Sequence, residues 1–178
     1  MNCKFSNTAK TTLFFLLFLL ISRDGKAQPG EKESDLKAAF IYNFTKYIDW
    51  DTAVNNNNFV IGVIGSSAIA GPLNELAKIN TVGSKKIVIR IYNKPEEIGR
   101  CNILFIPEST PFSLSSILEQ TGKGVLTISE KKDFARMGTA LNFIIVNNKL
   151  KFEANLKAIS AAGLSASSQL LKLANIIN

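Results

Sequence analysis

The sequence predicts a single-domain α/β sandwich, a mostly parallel sheet with helices on both faces and an antiparallel hairpin near the C-terminus. Three observations lead there. Short, nearly unbroken apolar runs such as Phe59-Val60-Ile61-Gly62-Val63-Ile64 read as strands buried on both faces. These runs alternate with short helical patterns, as right-handed βαβ crossovers require. Near the end of the chain, two further apolar runs flank the polar turn Asn147-Asn148-Lys149, which marks a β-hairpin.

Taken in order, Leu36, Phe40, Phe44, Tyr47 and Ile48 recur at spacings of three and four, predicting an amphipathic helix over residues 34–48 behind a polar tail at 28–33. Residues 49–58, with four consecutive asparagines, form a polar loop. Residues 59–64 are the first buried strand, and 68–77 read as a helix. The β-branched stretch 86–92 is a strand, 95–99 holds one helical turn, and 102–106 is another buried strand. A short helix over 113–120 leads to a strand at 124–128. The hairpin strands are 140–146 and 150–153. Asn155 caps a helix running to Ala162, where Gly163 supplies the left-handed terminator. Ser167 or Ser168 starts a last helix with Leu170, Leu171, Leu173 and Ala174 on its apolar face.

The first 27 residues read as a secretory signal peptide. Lys4 and Lys10 precede an uncharged apolar run from Leu13 to Ile21, and Gly25-Lys26-Ala27 suits cleavage before Gln28. That run spans only about 14 Å at helical rise, against a hydrocarbon core of roughly 30 Å, so it is too short for a membrane anchor. Cys3 lies before the run, which does not fit a lipoprotein anchor either. The expected location is the periplasm, and residues 34–178 make one domain, a length that supports a single core.

The formal charge is +7, of which Lys4, Lys10, Arg23 and Lys26 against Asp24 contribute +3, leaving +4 on the chain after the leader. Its cations are scattered, the densest being Lys85-Lys86 and Lys131-Lys132. No stripe tracks a phosphate backbone, so nucleic acid is not an expected partner. Without Cys3 the chain keeps only Cys101, which cannot form an internal disulfide. Placed before Ile103-Leu104-Phe105-Ile106, Cys101 reads first as a small buried hydrophobe and second as a reactive or intermolecular thiol.

The chain contains no histidine, which removes His-based triads, nearly all zinc sites and imidazole switches. The nearest carboxylate pairs, Asp49/Asp51 and Glu96/Glu97, fall in turn-rich sequence and read as solvated surface. No Walker, dinucleotide or EF-hand pattern is present, and neither a cofactor nor a metal site is expected. One loop has the form of an anion site. Gly62, Gly65, Ser66 and Ser67 leave a buried strand and enter a helix, where backbone N–H groups and two hydroxyls would face a ligand at the sheet's carboxyl edge. A Gly-Ser turn with Ser67 as helix cap accounts for the same residues. An aspartyl-phosphate switch is rejected, because this strand ends in glycine and serine rather than acids.

Three segments together resemble a known family. They are Leu36-Lys37-Ala38-Ala39-Phe40-Ile41-Tyr42-Asn43-Phe44-Thr45-Lys46-Tyr47-Ile48-Asp49-Trp50, then Phe59 through Gly65, then a tail holding Lys151-Phe152-Glu153-Ala154-Asn155-Leu156, Ala162-Gly163-Leu164 and Ser167-Ser168-Gln169-Leu170-Leu171-Lys172-Leu173-Ala174. In combination they resemble the YfiR family of exported proteins, over about residues 34–177. The resemblance implies a non-enzymatic periplasmic α/β regulator, often dimeric, that restrains an inner-membrane signalling protein, a diguanylate cyclase or a sensor kinase, by binding its periplasmic sensor region. It also implies relief by an outer-membrane lipoprotein. Internal disulfides known in such members are not available here. The aromatic face of the first helix, Phe40, Phe44 and Tyr47 with the neighbouring Asn43, is the expected partner or dimer contact, and core packing explains each single aromatic more simply. The alternative function is a periplasmic small-ligand-binding domain using the Gly62 to Ser67 loop or a pocket near the final helix.

Overall fold

The computed structural model describes residues 29–50 and 57–177; the leader predicted at 1–27 and its cleavage site lie outside the described residues. Its helices are α1 (Pro29–Phe44), α2 (Ala70–Ile79), α3 (Leu114–Glu119), α4 (Leu156–Ala161) and α5 (Ser168–Leu173). Its strands are β1 (Ile48–Trp50), β2 (Asn58–Ile64), β3 (Thr81–Val82), β4 (Lys85–Tyr92), β5 (Ile103–Ile106), β6 (Leu126–Ser129), β7 (Leu141–Val146), β8 (Lys149–Asn155), β9 (Leu164–Ala166) and β10 (Asn175–Ile177).

Eight strands form one sheet in the order β10-β8-β7-β6-β5-β2-β4-β3, while β1 and β9 make a separate antiparallel pair. The pairs β2/β4, β2/β5, β5/β6, β6/β7 and β8/β10 are parallel. The hairpin β7/β8 and the short β3/β4 pair are antiparallel. Asn147 and Asn148 turn the hairpin with φ of 52° and 57°, the left-handed values that a two-residue hairpin turn demands and asparagine tolerates.

The continuous apolar strands are buried on both faces, as expected, and alternate residues go to opposite cores. Phe59, Ile61 and Val63 of β2 join Ile103, Phe105, Leu126, Ile128 and Phe143 under α1, α2, α4 and α5. Val60 and Ile64 join Leu104, Ile106, Cys101, Tyr92 and Phe134 under α3, through Leu114 and Ile117. The second face is thinly covered, since α3 is its only α-helix among the described residues, beside a single 3-10 turn at Pro95–Glu97.

The first helix needs correction at both ends. It runs from Pro29 rather than residue 34, so residues 29–33, expected as a polar tail, are helical; proline is tolerated in a first helical turn, where its N–H would be unpaired anyway. It ends at Phe44 rather than Ile48. Three successive tight bonds, Thr45 N to Tyr42 O, Lys46 N to Asn43 O and Tyr47 N to Phe44 O, close it. Ile48 is then drawn into β1 opposite Ala166 of β9.

Other signals fall where the sequence puts them. The Asn155 side chain accepts from Ala158 N at the start of α4, and Ser167 accepts from Leu170 N at the start of α5. Gly163 has φ of 72° just past α4. The final helix buries Leu170 but leaves Leu173 70 % exposed, so only part of its apolar face is used.

Candidate functional site

Two surfaces follow from this topology, the aromatic side of α1 and the cleft at the carboxyl edge of the parallel strands. On α1, the aromatic stripe is largely a docking device. Phe44 is 2 % exposed, with its ring centroid 5.0 Å from Phe152 and 6.0 Å from Phe143. Phe40, half-buried, meets Phe44, Phe143 and Phe152 edge-on at 6.0–6.2 Å. Tyr47 packs partly buried against the same core. These rings hold α1 on β7 and β8, and edge-on contacts of this kind add about 0.5–1.5 kcal/mol each beyond area burial. Of the four residues read as a contact, Asn43 is exposed. Its Oδ1 accepts from Lys46 Nζ at 3.1 Å, and that ammonium also stands 4.6 Å from the Tyr42 ring centre. Tyr42, Asn43 and Lys46 therefore form the outer end of the helix.

The cleft arises from strand order. The chain leaves β2 for β4 on one side and returns to β5 on the other, so the loops after β2 and β5 diverge at a topological switch point. Open α/β sheets bind ligands in such crevices. The loop after β2 carries Gly65, Ser66 and Ser67, and the loop after β5 carries Glu108, Ser109 and Thr110. Ser109 Oγ bridges them by donating to Ser66 O at 3.4 Å. Gly65 has φ of 77°, a left-handed turn that side chains resist. Ser67 does not cap α2 in the expected way; its Oγ meets Ile69 N at 3.4 Å, one residue before the helix begins.

Gly62 belongs elsewhere. It sits in the middle of β2 beneath the Tyr92 ring, where a Cβ would lie 2.6 Å from Tyr92 Cε2. Its role is close packing, away from the loop it was grouped with.

Above the crevice, α1 sets Lys37. Its Nζ reaches Glu130, at the end of β6, at 2.5 Å and Glu33, one turn back on α1, at 2.6 Å. The side chains of Lys37 and Glu130 are 14 % and 17 % exposed. Glu130 Oε1 also accepts from Glu108 N at 3.1 Å, tying α1, β6 and the β5 loop together. Burial opposes the charge on Lys37, but its bonds to Glu130 and Glu33 outweigh that and raise its pKa above the ordinary 10.5. The cleft of about 770 Å³ is lined by Glu33, Lys37, Ser66, Ser67, Glu108, Ser109 and Glu130, so three carboxylates face one ammonium. Such a lining repels an anion despite the serines and backbone N–H groups of the loop.

Beside it lies a buried polar layer that no sequence pattern announced. Ser129 Oγ contacts Thr139 Oγ1 at 2.8 Å and Asn142 Oδ1 at 2.6 Å, and Asn142 Nδ2 donates to Glu153 at 3.0 Å. Asn155 Nδ2 donates to Ala135 O at 2.7 Å. Together they pin the helix-free β6–β7 connection onto the sheet.

Cys101 is 9 % exposed, and burial pushes its thiol up to about 12. It is neutral at any physiological pH and behaves as filler of the second core. Of the acidic pairs, Glu97 caps the turn after β4 by accepting from Asn93 N at 3.0 Å; Asp51 lies outside the described residues. Among the described residues no group of three His, Cys, Asp or Glu could hold a metal ion, and no helix is long and apolar enough to cross a membrane.

Compared with known proteins, residues 34–175 match the sequence model of a family described as YfiR/HmsC-like. That match spans the fold from the second turn of α1 to β10. No curated protein matches the chain.

Proposed function

The chain belongs to the YfiR/HmsC-like family, and from that premise we propose that it is an exported, non-enzymatic regulator of cyclic di-GMP signalling. In this reading it acts in the periplasm and restrains an inner-membrane signalling protein, a diguanylate cyclase or a sensor kinase, by binding its periplasmic sensor region. An outer-membrane lipoprotein relieves the restraint by capturing the regulator. The observation that carries this reading is the extent of the family match, which runs from the second turn of α1 to the first residue of β10. A chain without histidine also lacks the commonest general base and metal ligand, which suits action through contacts.

The test is direct. Purified protein is offered to the sensor regions of the host's inner-membrane cyclases and kinases, and cellular cyclic di-GMP is measured with and without the gene. Capture of one sensor region, with a change in cyclic di-GMP on deletion, is the expected result. Capture of none, with unchanged signal, would sink the reading.

The switch-point position of the Ser66–Ser109 cleft favours a second role, a small ligand that sets partner affinity. Its net negative lining selects a cationic or neutral polar molecule. A thermal-shift screen of amines and polyols against anions separates the two.

A further inference from the structure

The large sheet is unfinished at the β4 edge. On its inner side β4 pairs with β2 from Lys86 to Tyr92. On its outer side β3 reaches only Lys85 and Lys86. Among the described residues no strand lies beside residues 87–92 on that side.

The direction of the free groups follows from two bonds. Lys86 N donates to Asn57 O, and Gly65 N donates to Tyr92 O, both on the β2 side. Backbone groups of a strand alternate in direction, so Lys86, Val88, Arg90 and Tyr92 address β2, and Ile89 and Ile91 turn their N–H and C=O groups outward. Ile91 is 46 % exposed and Ile89 partly so, which leaves both apolar faces and bonding groups at the rim.

An open edge of this length is normally a hazard, because another strand can add to it. Charge decides which strand. Lys86 and Arg90 are exposed on the same face of β4, and Lys94 follows. The acids nearest in sequence, Glu96 and Glu97, lie beyond the strand end, and Glu97 is engaged with Asn93 N. In a two-fold antiparallel pairing with a second copy, Lys86 and Arg90 of both chains would share one face, and like charges there repel. An acidic strand meets the opposite situation.

We propose that the free edge of β4 is a strand-addition site for an extended acidic segment of a protein partner, in which acidic side chains face Lys86 and Arg90 and apolar ones cover Ile89 and Ile91. This rests on the regulator reading and names the surface through which a partner is held. Main-chain bonds to Ile89 and Ile91 give affinity, and the alternating side chains give selection.

The probe is an acetylated Glu-Val-Glu-Val-Glu-Val peptide, with a Lys-Val counterpart and two N-methylated forms, one methylated at every valine and one at every glutamate. The Glu-Val peptide should bind and the Lys-Val peptide should not. One N-methylated form should lose about tenfold or more while the other keeps its affinity, since a strand offers only one edge at a time. On binding, the Ile89 and Ile91 amides should become protected from hydrogen exchange. Ile91→Pro removes an outward N–H without touching the β2 ladder and should abolish binding. Arg90→Glu, at an exposed position, should weaken the acidic peptide and admit the basic one. If both N-methylated forms behave alike, or if Ile91→Pro merely converts a dimer to a monomer, the proposed occupant is wrong. A sensor region that binds wild type and Ile91→Pro equally would overturn the edge site and leave the regulator reading standing. A sensor region that binds neither counts against the regulator reading itself.

Discussion

The ring of Tyr92 lies across Gly62, so close that a Cβ added there would stand 2.6 Å from Cε2 and 3.2 Å from Leu104 Cδ1. The glycine lets two neighbouring parallel strands bring a large ring flat onto the sheet, where Tyr92 is only 6 % exposed. Its hydroxyl is buried without a hydrogen bond of good geometry, although the Arg90 guanidinium and Gly99 N–H stand near it. Burial, chiefly, keeps that phenol above its ordinary pKa of 10.0.

Gly62→Ala should therefore lower stability by about 1–3 kcal/mol, the usual cost of overpacking a rigid core. The ring shares the second core with Leu104 and Cys101, so moving it aside disturbs that packing. Chemical denaturation measures the loss. In a Tyr92→Leu background the same substitution should cost clearly less, and an unchanged cost would show that the ring is not the obstacle.

Lys37→Met should destabilise by about 1–2 kcal/mol, at the modest end because solvent reaches part of the pair. The pH dependence has a definite sign. A lysine whose folded pKa is raised contributes stability fully below its unfolded value, here the ordinary 10.5, and loses it as pH rises through the folded value. The gap between wild type and variant should be flat from pH 6 to about 10 and close above that. A gap that closes toward neutral pH would contradict the assignment.

Cys101 should resist thiol reagents in the folded protein and react on unfolding, because burial keeps its pKa near 12. Cys101→Ser should leave partner capture intact and cost about 1–2 kcal/mol, as a hydroxyl there would be poorly hydrated. Loss of capture without loss of fold would assign the thiol a function.

How far the sequence exposed this architecture depends on the length of each signal. Buried strands such as β2 and β5 were legible because four or more successive apolar residues have no alternative home, and the caps at Asn155 and Ser167 because side-chain oxygens there meet specific N–H groups. Strands of two or three residues, β1, β3, β9 and β10, carry no periodicity and arise only from tertiary pairing. The site was less legible. The Glu33–Lys37 contact has the i, i+4 spacing of a helix pair, but Lys37 and Glu130 are 93 residues apart and nothing local relates them. Spacing places Phe40 and Phe44 on one face of α1, yet Tyr47 falls beyond its end, and spacing alone does not separate Phe44, enclosed by Phe143 and Phe152, from a ring awaiting a partner.

The leader, too, gives a measurable expectation. Protein recovered from the cell envelope should begin at Gln28, the position after Ala27. Intact mass decides this, and a chain retaining residues 1–27 would contradict cleavage before Gln28.

Asn43 offers the cleanest probe of the outer end of α1. It is exposed, its side chain bonds only Lys46 among the described contacts, and Glu in its place would keep a favourable i, i+3 partner in that ammonium. Asn43→Glu should therefore unfold with the same midpoint as wild type to within a few tenths of a kcal/mol. The protein is expected to run as a homodimer and to capture a sensor region. If either contact covers this end of the helix, the new carboxylate must be desolvated there, and the affected association should weaken roughly tenfold or more. Light scattering and sensor-region capture on one sample read both. Should dimerisation and capture each keep their wild-type strength, the aromatic helix serves the core alone, and the β4 edge becomes the better place to look for the partner.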